Sequence, residues 1–148
     1  MRELSAKYGY SDITQFLVEY VSVHPEVDHQ VDEEQRIFGK ENDDFVLDAH
    51  LGFHFVPDSI RICLICDLEE AARRILDDSG RTTETATNIK DSIVSSQKRR
   101  DTMHENFMSL YQVDIDDHSN FDLVLDTTSL SSDEVFERAS AFIDLQRT

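Results

Sequence analysis

The sequence feature that most constrains the fold is an apolar run at residues 60–66, IRICLIC, which is followed directly by Asp67. After Arg61 the run is apolar at every position, which is typical of a strand covered on both faces in a parallel sheet. Asp67 is a favourable N-cap residue, so a helix is predicted from Leu68 to Leu76. A buried strand that leads into a helix is the first half of a parallel crossover unit, and it predicts an α/β fold.

Further apolar runs extend this pattern along the chain. Residues 44–48 (DFVLD) and 121–126 (FDLVLD) predict two more strands. Helices are predicted at 2–8 before Gly9, after Ser11 or Asp12, from Pro25 to Gly39, at about 84–111, and after Ser131 or Ser132, where Glu134 completes a capping pattern. Alternating strands and helices predict a parallel sheet with helices on both faces. Three strands are few for such a sheet, and the missing strand is expected at the N-terminal end of the sequence.

Length and charge narrow the class of partner. The 148 residues fit a single domain, 1–148, and include 31 acidic and 14 basic side chains, for a net charge of −17. Because nucleic acids and anionic membranes are bound through basic surfaces, we expect neither among the partners. Ten of the 14 basic residues are arginine, and a few guanidinium groups are enough to hold one phosphate-sized ligand.

Two other features of the sequence, the absence of long apolar segments and the pair of cysteines, do not point to a functional site. No run of 18 apolar residues occurs, and residues 1–7 lack the apolar stretch of a signal peptide, so the chain is interpreted as cytoplasmic. Cys63 and Cys66 are three residues apart on a predicted strand, which places them on opposite faces. They are interpreted as small buried residues, because that spacing disfavours a local disulfide or a shared metal.

Arginines that follow the 60–66 strand are the candidate ligand-binding residues. Arg73 and Arg74 lie on the helix after this strand, and Arg99 lies on the long polar helix. Parallel sheets bind ligands outside the carboxyl ends of their strands, which is the end that such a helix follows. The alternative, which composition leaves open, is that each arginine only offsets a nearby acidic residue.

Metal and phosphate-loop motifs are not predicted in this sequence. His50 and His54 have the spacing of a helical metal pair, but Gly52 and Pro57 favour a loop at this position, so no metal site is predicted. The four glycines stand at 9, 39, 52 and 80, which is too scattered for a Walker-type loop.

Several stretches, taken in order, resemble the cytidylate kinase family of P-loop nucleoside monophosphate kinases, in particular its compact archaeal-type branch. They are REL at 2–4, PEVD at 25–28 with DEEQ at 32–35, FVLDAHL at 45–51, FVPDS at 55–59, EAARRI at 70–75, YQVD at 111–114 and NFDLVLDTT at 120–128. The resemblance covers most of the chain. It implies a three-layer P-loop NTPase-like parallel sheet, whose first strand and phosphate loop would lie before Met1.

The resemblance also implies an activity and its residues. The activity is phosphoryl transfer from ATP, with Mg²⁺, to CMP or a similar nucleoside monophosphate. The monophosphate-binding part spans about 1–56 and the lid region about 74–112. The matching positions are Arg2, Asp28, Asp32 and His50 for the monophosphate, and Arg74 and Arg99 as catalytic residues on the donor side.

Departures from the family pattern give an alternative function. His50 stands where the family usually has an arginine, and Asn106 and Asp78 stand where further arginines often lie. Cationic groups that neutralise the transferring phosphoryl are most of what such an enzyme supplies. The chain is expected to be inactive alone because the phosphate loop, which would position the γ-phosphate, is absent from it. The three substitutions support the alternative, a degenerate, non-catalytic kinase-fold protein that binds a nucleotide or a protein partner. In the incomplete sheet, we expect 44–48 to pair directly with 60–66, or a strand of another chain, such as a second copy, to lie between them.

Overall fold

The structure is a computed structural model that describes residues 2–11, 15–78 and 88–147, without the side chains of residues 2–4, 17, 18, 22, 25 and 28. The chain divides into two compact units, one of residues 1–57 with 79–85 and one of 58–78 with 86–148. The predicted organisation as one domain stays a prediction. Two positions considered in the sequence, Asp12 and Gly80, lie outside the described residues.

The 58–78/86–148 unit contains a two-stranded parallel sheet. Its elements are β1 (Ile62–Ile65), α4 (Leu68–Asp77), α5 (Ile89–Tyr111), a 3₁₀ turn (His118–Asn120), β2 (Leu123–Asp126) and α6 (Ser132–Gln146). The strands pair from Ile62 with Leu123 to Ile65 with Asp126, and two helices lie between them in the chain. The predicted α/β class, the strands near 60–66 and 121–126, and their parallel direction are confirmed.

Side-chain caps start two helices of this unit, α4 and α6, where the sequence predicts them. The carboxylate of Asp67 accepts hydrogen bonds from the backbone N–H groups of Glu69 and Glu70 at the start of α4. Ser131 and Glu134 form a reciprocal capping box at the start of α6. Such caps satisfy backbone donors that have no partner inside the helix, which is why a local sequence pattern is enough to locate them.

The 1–57 unit is helical in its described part. Its elements are α1 (Arg2–Lys7), a π-helical segment (Phe16–Tyr20), a 3₁₀ turn (Val21–Val23), α2 (Pro25–Glu41) and α3 (Gly52–Phe55). Phe16, Val21 and Val27 form its buried core, against which Tyr10 and Tyr20 pack. Gly9 follows α1 at a φ of +82°, a conformation that suits glycine, so the predicted helix stop at this residue is confirmed.

The predicted strand at 44–48 is wrong. Residues 45–49 have no regular secondary structure, and Val46 is 95% exposed. A strand requires hydrogen bonds to a neighbouring strand, and a segment of five residues with three apolar side chains cannot specify that partner. The expected direct pairing of 44–48 with 60–66 is therefore also wrong, since the ladder partner of β1 is β2. The other expectation, a strand contributed by another chain, stays a prediction.

Two smaller predictions in the 1–57 unit are also corrected. Gly39 does not end α2, which continues to Glu41. A Cβ atom at Gly39 would lie 2.7 Å from Cγ2 of Val56, so this glycine allows a close approach of two segments. The predicted loop around His54 contains the single helical turn of α3. Both corrections depend on contacts between segments, which local sequence patterns do not contain.

Two further observations bear on the sequence analysis. Cys63 and Cys66 are both free thiols and are partly buried. Among the described residues, no helix combines the length and the apolar character needed to cross a membrane.

Candidate functional site at the carboxyl ends of the strands

The carboxyl ends of β1 and β2 meet at one edge of the sheet, at Ile65 and Asp126. The loop after β1 leads into α4 at Asp67, and the loop after β2 covers 127–131 and leads into α6. Two helix N-termini and two loops therefore gather at this edge. This is the edge at which open parallel sheets bind ligands.

Threonine side chains join the two strands at this edge. Thr127 is buried, and both its backbone N–H and its hydroxyl donate to the carbonyl of Ile65, at 2.8 and 3.0 Å. The Thr128 hydroxyl accepts from the backbone N–H of Asp67 at 2.9 Å and donates to Oδ1 of Asp126 at 2.6 Å. These bonds order the backbone of both loops at the edge of the sheet.

The electrostatics of the edge favour an ionised carboxylate at the end of β2. Hydrogen bonds from the side chain and the backbone N–H of Thr128 lower the pKa of Asp126. Since both bonds are made to Oδ1, the second oxygen accepts no hydrogen bond from the described residues. The carboxylate therefore keeps binding capacity while it stays charged.

Arg74 fixes the loop that follows β2. Its Nη2 donates to the backbone carbonyls of Thr127, Thr128 and Leu130, at 2.9, 3.1 and 3.2 Å. Its Nε donates to Oε1 of Glu70 at 2.7 Å. The guanidinium thus spans one turn of α4 and three carbonyls of the loop, and Nη1 donates no hydrogen bond within the described part of the chain.

Glu70 connects this arginine to a second one. The hydrogen bonds from Arg73 and then from Arg74 hold the pKa of Glu70 below its usual value. Arg73 also pairs with Asp77 and is more exposed than Arg74. All three of its guanidinium nitrogens are engaged by carboxylates of α4, so Arg73 fits the sequence alternative in which an arginine offsets nearby acids.

An open cavity of about 850 Å³ adjoins Arg74 and the loop. Its size lies within the range of small-molecule sites. Five of its lining residues carry hydroxyl groups, and the lining as a whole consists of Leu64, Glu70, Arg73, Arg74, residues 127–132 and Val135. Hydroxyl and guanidinium groups around a partly apolar floor suit a ligand that has both a ring system and an anionic group.

The predicted site residues fall in different parts of the chain. Arg74 lies at the strand edge, and Arg99 lies half-buried on α5 of the same unit. Asp32 lies half-buried on α2 and His50 lies exposed in a turn, both in the 1–57 unit. Arg2 and Asp28 belong to α1 and α2, but their side chains lie outside the described residues.

Sequence reasoning did not assign a role to Thr127 and Thr128, although it included them in the family resemblance. The signal for them was the DTT sequence directly after an apolar strand, because hydroxyl side chains readily bond to backbone groups in a strand-ending turn. Their actual partners, Ile65 and Asp67, are about sixty residues away in the chain. That separation is why the pattern alone could not identify the contacts.

Comparisons with known proteins identify the relatives of this chain. Over 132 residues, covering 88% of the chain and 67% of the relative, it is 32% identical to a cytidylate kinase of Pyrobaculum aerophilum. A cytidylate kinase of Pyrobaculum islandicum is 31% identical over 144 residues, which cover 96% of the chain and 73% of that protein. The chain belongs to the cytidylate kinase family. Neither a family model nor a solved structure matches it.

A relative with another name shares the same region. An S-adenosylmethionine-dependent nucleotide dehydratase of Lacinutrix mariniflava is 33% identical over 132 residues, which cover 87% of the chain. The chain spans only a quarter (25%) of that protein, whereas it spans 67% and 73% of the two cytidylate kinases. The two cytidylate kinases confirm the sequence resemblance at the level of family, and the dehydratase is considerably longer than the region that this chain matches.

Proposed function

We propose that this chain binds a phosphorylated nucleotide, CMP or a similar monophosphate, as a cytidylate kinase-like domain with the three-layer P-loop NTPase arrangement. The observation that carries the proposal is the cavity at the carboxyl ends of two parallel strands, lined by hydroxyl groups and by Arg74. A parallel sheet is expected to bind its ligand at this edge. The family relationship supports a nucleotide as the ligand.

The names of the relatives support recognition of the nucleotide more strongly than they support any one reaction. The two archaeal relatives are named kinases, and the third is named a dehydratase. Phosphoryl transfer and dehydration need different catalytic groups, but both names specify a nucleotide. A nucleotide-binding role is therefore the property that all three names share.

Within this proposal, Arg74 positions the loop and offers one nitrogen to the ligand. Nε and Nη2 are engaged with Glu70 and with loop carbonyls, which leaves Nη1 for an anionic group. Charge-assisted hydrogen bonds of this kind are stronger than neutral ones. The family resemblance also implies Arg99 as a donor-side residue, and Arg2, Asp28, Asp32 and His50 as residues that bind the monophosphate. These roles stay predictions.

ATP and Mg²⁺ are the cofactors that the family implies. ATP would supply the phosphoryl group, and Mg²⁺ would neutralise charge on its phosphates. At this edge Asp67 and Asp126 would hold the metal, because Mg²⁺ is usually bound through one or two carboxylates together with phosphates. Each carboxylate uses Oδ1 for hydrogen bonds within the chain, and among the described residues Oδ2 accepts none. These two carboxylates therefore fit Mg²⁺.

Calorimetry with the purified chain tests the binding site. CMP is expected to bind, whereas cytidine, which lacks the phosphate, is expected to bind at least tenfold more weakly. Ser129→Trp places a large ring in the cavity lining and should abolish binding. Ser119→Trp, at an exposed position that precedes β2 in the chain, should not abolish it. Equal affinity of the Ser129→Trp and Ser119→Trp variants for CMP would contradict the assigned site.

A second candidate function is nucleotide binding without phosphoryl transfer. The specific observation in its favour is the engagement of Arg74, one of the two predicted catalytic residues, with three backbone carbonyls. A coupled assay with Mg-ATP and CMP distinguishes the candidates, and we expect CMP binding without turnover. Turnover at about 1–100 per second, the usual range for kinases, would establish the kinase and reject the non-catalytic alternative.

A further inference from the structure

One cluster of metal-ligating side chains lies outside the site described above. His104 is on the C-terminal half of α5, and Asp114 and Asp116 are in the turn that follows this helix. Nδ1 of His104 lies 3.5 Å from Oδ1 of Asp114 and 3.3 Å from Oδ2 of Asp116. We call these three residues the 104–114–116 cluster.

The distances from the histidine nitrogen to the two carboxylate oxygens match those between ligands around one ion. Nitrogen and oxygen ligands bind Zn²⁺ at roughly 2.0–2.2 Å, so neighbouring ligands of a tetrahedral site lie about 3.4 Å apart. The two nitrogen–oxygen distances, 3.5 and 3.3 Å, lie on either side of this value. All three candidate ligand atoms lie within 4.8 Å of one another.

A second and independent observation concerns the histidine nitrogen. Nδ1 of His104 is shielded from solvent and has no hydrogen-bond partner among the described residues. A buried polar atom without a partner is costly, and a lone pair on Nδ1 that faces two carboxylates would be repelled by them. A metal ion between the nitrogen and the oxygens would accept this lone pair and offset the negative charge of the carboxylates.

Neighbouring groups hold the carboxylates in place. Arg100 pairs with Oδ1 of Asp116, which leaves Oδ2 directed to the cluster. The backbone N–H of Asp116 donates to Oδ1 of Asp114 at 2.8 Å, and Asn120 donates to the Asp114 carbonyl at 3.1 Å. Outer partners of this kind orient metal ligands in known sites.

The charge balance also favours a cation. With His104 neutral, two carboxylates and one guanidinium leave the cluster and its neighbour with a net charge of −1. The whole chain carries −17. Asp114 and Asp116 are exposed, so an ion from solvent reaches the cluster without any rearrangement of the fold.

We propose that the 104–114–116 cluster is a site for a divalent transition-metal ion, with Zn²⁺ as the representative ion and water completing its coordination. An imidazole ligand distinguishes such ions from Mg²⁺ and Ca²⁺, which prefer oxygen ligands alone. The ion joins the end of α5 to the turn that leads towards β2. It is separate from the Mg²⁺ that the family relationship implies at the nucleotide site.

Titration of the metal-free chain with ZnCl₂ at neutral pH, followed by calorimetry and thermal unfolding, tests the proposal. We expect one ion per chain and a higher unfolding temperature. His104→Gln should weaken binding at least tenfold. Asp114→Asn should also weaken it at least tenfold, while its amide oxygen keeps an acceptor for the Asp116 N–H. His118→Gln, which changes an exposed histidine nearby, should bind within about twofold of the original chain.

Co²⁺ as a substitute ion identifies the ligands. The expected absorption spectrum lacks the near-ultraviolet band that thiolate ligands produce, because Cys63 and Cys66 are not in the proposed site. A thiolate band that disappears in Cys63→Ser would overturn the proposal, as would the absence of Zn²⁺ binding. Circular dichroism and melting of the metal-free variants separate a lost site from a lost fold. If His104→Gln does not fold, undiminished binding by folded Asp114→Asn overturns the proposal.

Discussion

An arginine makes several hydrogen bonds at each end of the sheet, but the two arginines have different partners. At the amino end, Arg61 binds the carboxylate of Asp122 through Nε and Nη2, at 3.1 and 2.6 Å, and through its backbone N–H at 2.8 Å. At the carboxyl end, Nη2 of Arg74 binds three backbone carbonyls. A carboxylate loses its charge in acid, whereas a carbonyl does not titrate.

The two arginines therefore have different roles: Arg61 holds two strands together, and Arg74 holds a loop at the candidate site. Arg61 and Asp122 precede β1 and β2 directly, so their ion pair joins the starts of the two strands. Arg74 instead holds a loop that lines a cavity. The amino end is therefore expected to contribute to stability only, and the carboxyl end to both stability and ligand binding.

Removal of Arg74 tests the carboxyl end with the largest expected effect. Arg74→Ala leaves three loop carbonyls without this donor, and a loss of about 1–3 kcal/mol in the free energy of unfolding is expected. CMP affinity should fall as well, because the loop that lines the cavity is no longer held. Urea denaturation and calorimetry measure the two effects.

Arg73→Ala is the matched control for that experiment. Arg73 has the same side chain one residue earlier, but its partners are the carboxylates of Glu70 and Asp77 on α4. Arg73 itself is 55% exposed, and ion pairs of an exposed arginine within one helix contribute little to stability, so the change should be within about 0.5 kcal/mol. Equal losses in Arg73→Ala and Arg74→Ala would contradict the role assigned to the carbonyl contacts.

The sequence predicted the helices of this unit better than the contacts between its elements. Asp67 and the Ser131–Glu134 pair act within three residues in the chain, so the pattern and the physical cause coincide. The strand at 44–48 was predicted wrongly because strand formation depends on a partner elsewhere.

The candidate site was predictable only in part, for the same reason. Arg74 was identified as a ligand-binding residue, but its loop partners lie 53 to 56 residues away along the chain. The 104–114–116 cluster was not found, because a histidine and an Asp-x-Asp pattern ten residues later are common in an acidic sequence. Only the turn after α5 brings these side chains together.

Removal of the N-cap of α4, at the carboxyl end of the sheet, is expected to cause the next largest loss of stability. Asp67→Ala removes an acceptor for two backbone N–H groups, and a loss of roughly 0.5–2 kcal/mol in the free energy of unfolding is expected. Asp77→Ala, near the other end of α4, removes a carboxylate that makes no cap and should change stability much less. Thermal unfolding of both variants provides the comparison. An equal loss in the two would show that charge, and not capping, matters at Asp67.

Replacement of the buried Thr127 tests the hydrogen bond that its hydroxyl makes between the ends of the two strands. Thr127→Val keeps the shape of the side chain but removes the hydroxyl bond to the Ile65 carbonyl, while the backbone N–H of residue 127 still donates to that carbonyl. A loss of about 0.5–1.5 kcal/mol in unfolding free energy is expected. Thr102→Val, which removes an exposed hydroxyl bond within α5, serves as the control and should have a smaller effect. A larger loss in Thr102→Val would contradict the assignment.

The smallest expected effect is the pH dependence of the stabilisation by the Arg61–Asp122 ion pair. It tests the comparison of Arg61 with Arg74 most directly. Hydrogen bonds from the Arg61 side chain, and then from its backbone N–H, hold the pKa of Asp122 below its usual value. A carboxyl group with a lowered pKa in the folded state stabilises the fold above its unfolded pKa, and this contribution is lost as pH falls through the folded pKa. Both side chains are about one-third exposed (32% and 33%), so solvent reduces the effect.

Asp122→Asn should therefore destabilise the chain at neutral pH and should match the original chain once pH falls below the folded pKa of Asp122. Arg74→Ala should keep most of its destabilisation in the same acid range, because the loop carbonyls do not titrate. Urea denaturation of the three proteins from pH 7 to acid measures the difference. If the Arg74→Ala loss disappears in acid together with the Asp122→Asn loss, then Glu70, whose pKa is also lowered, and not the loop carbonyls, is the partner through which Arg74 stabilises the fold.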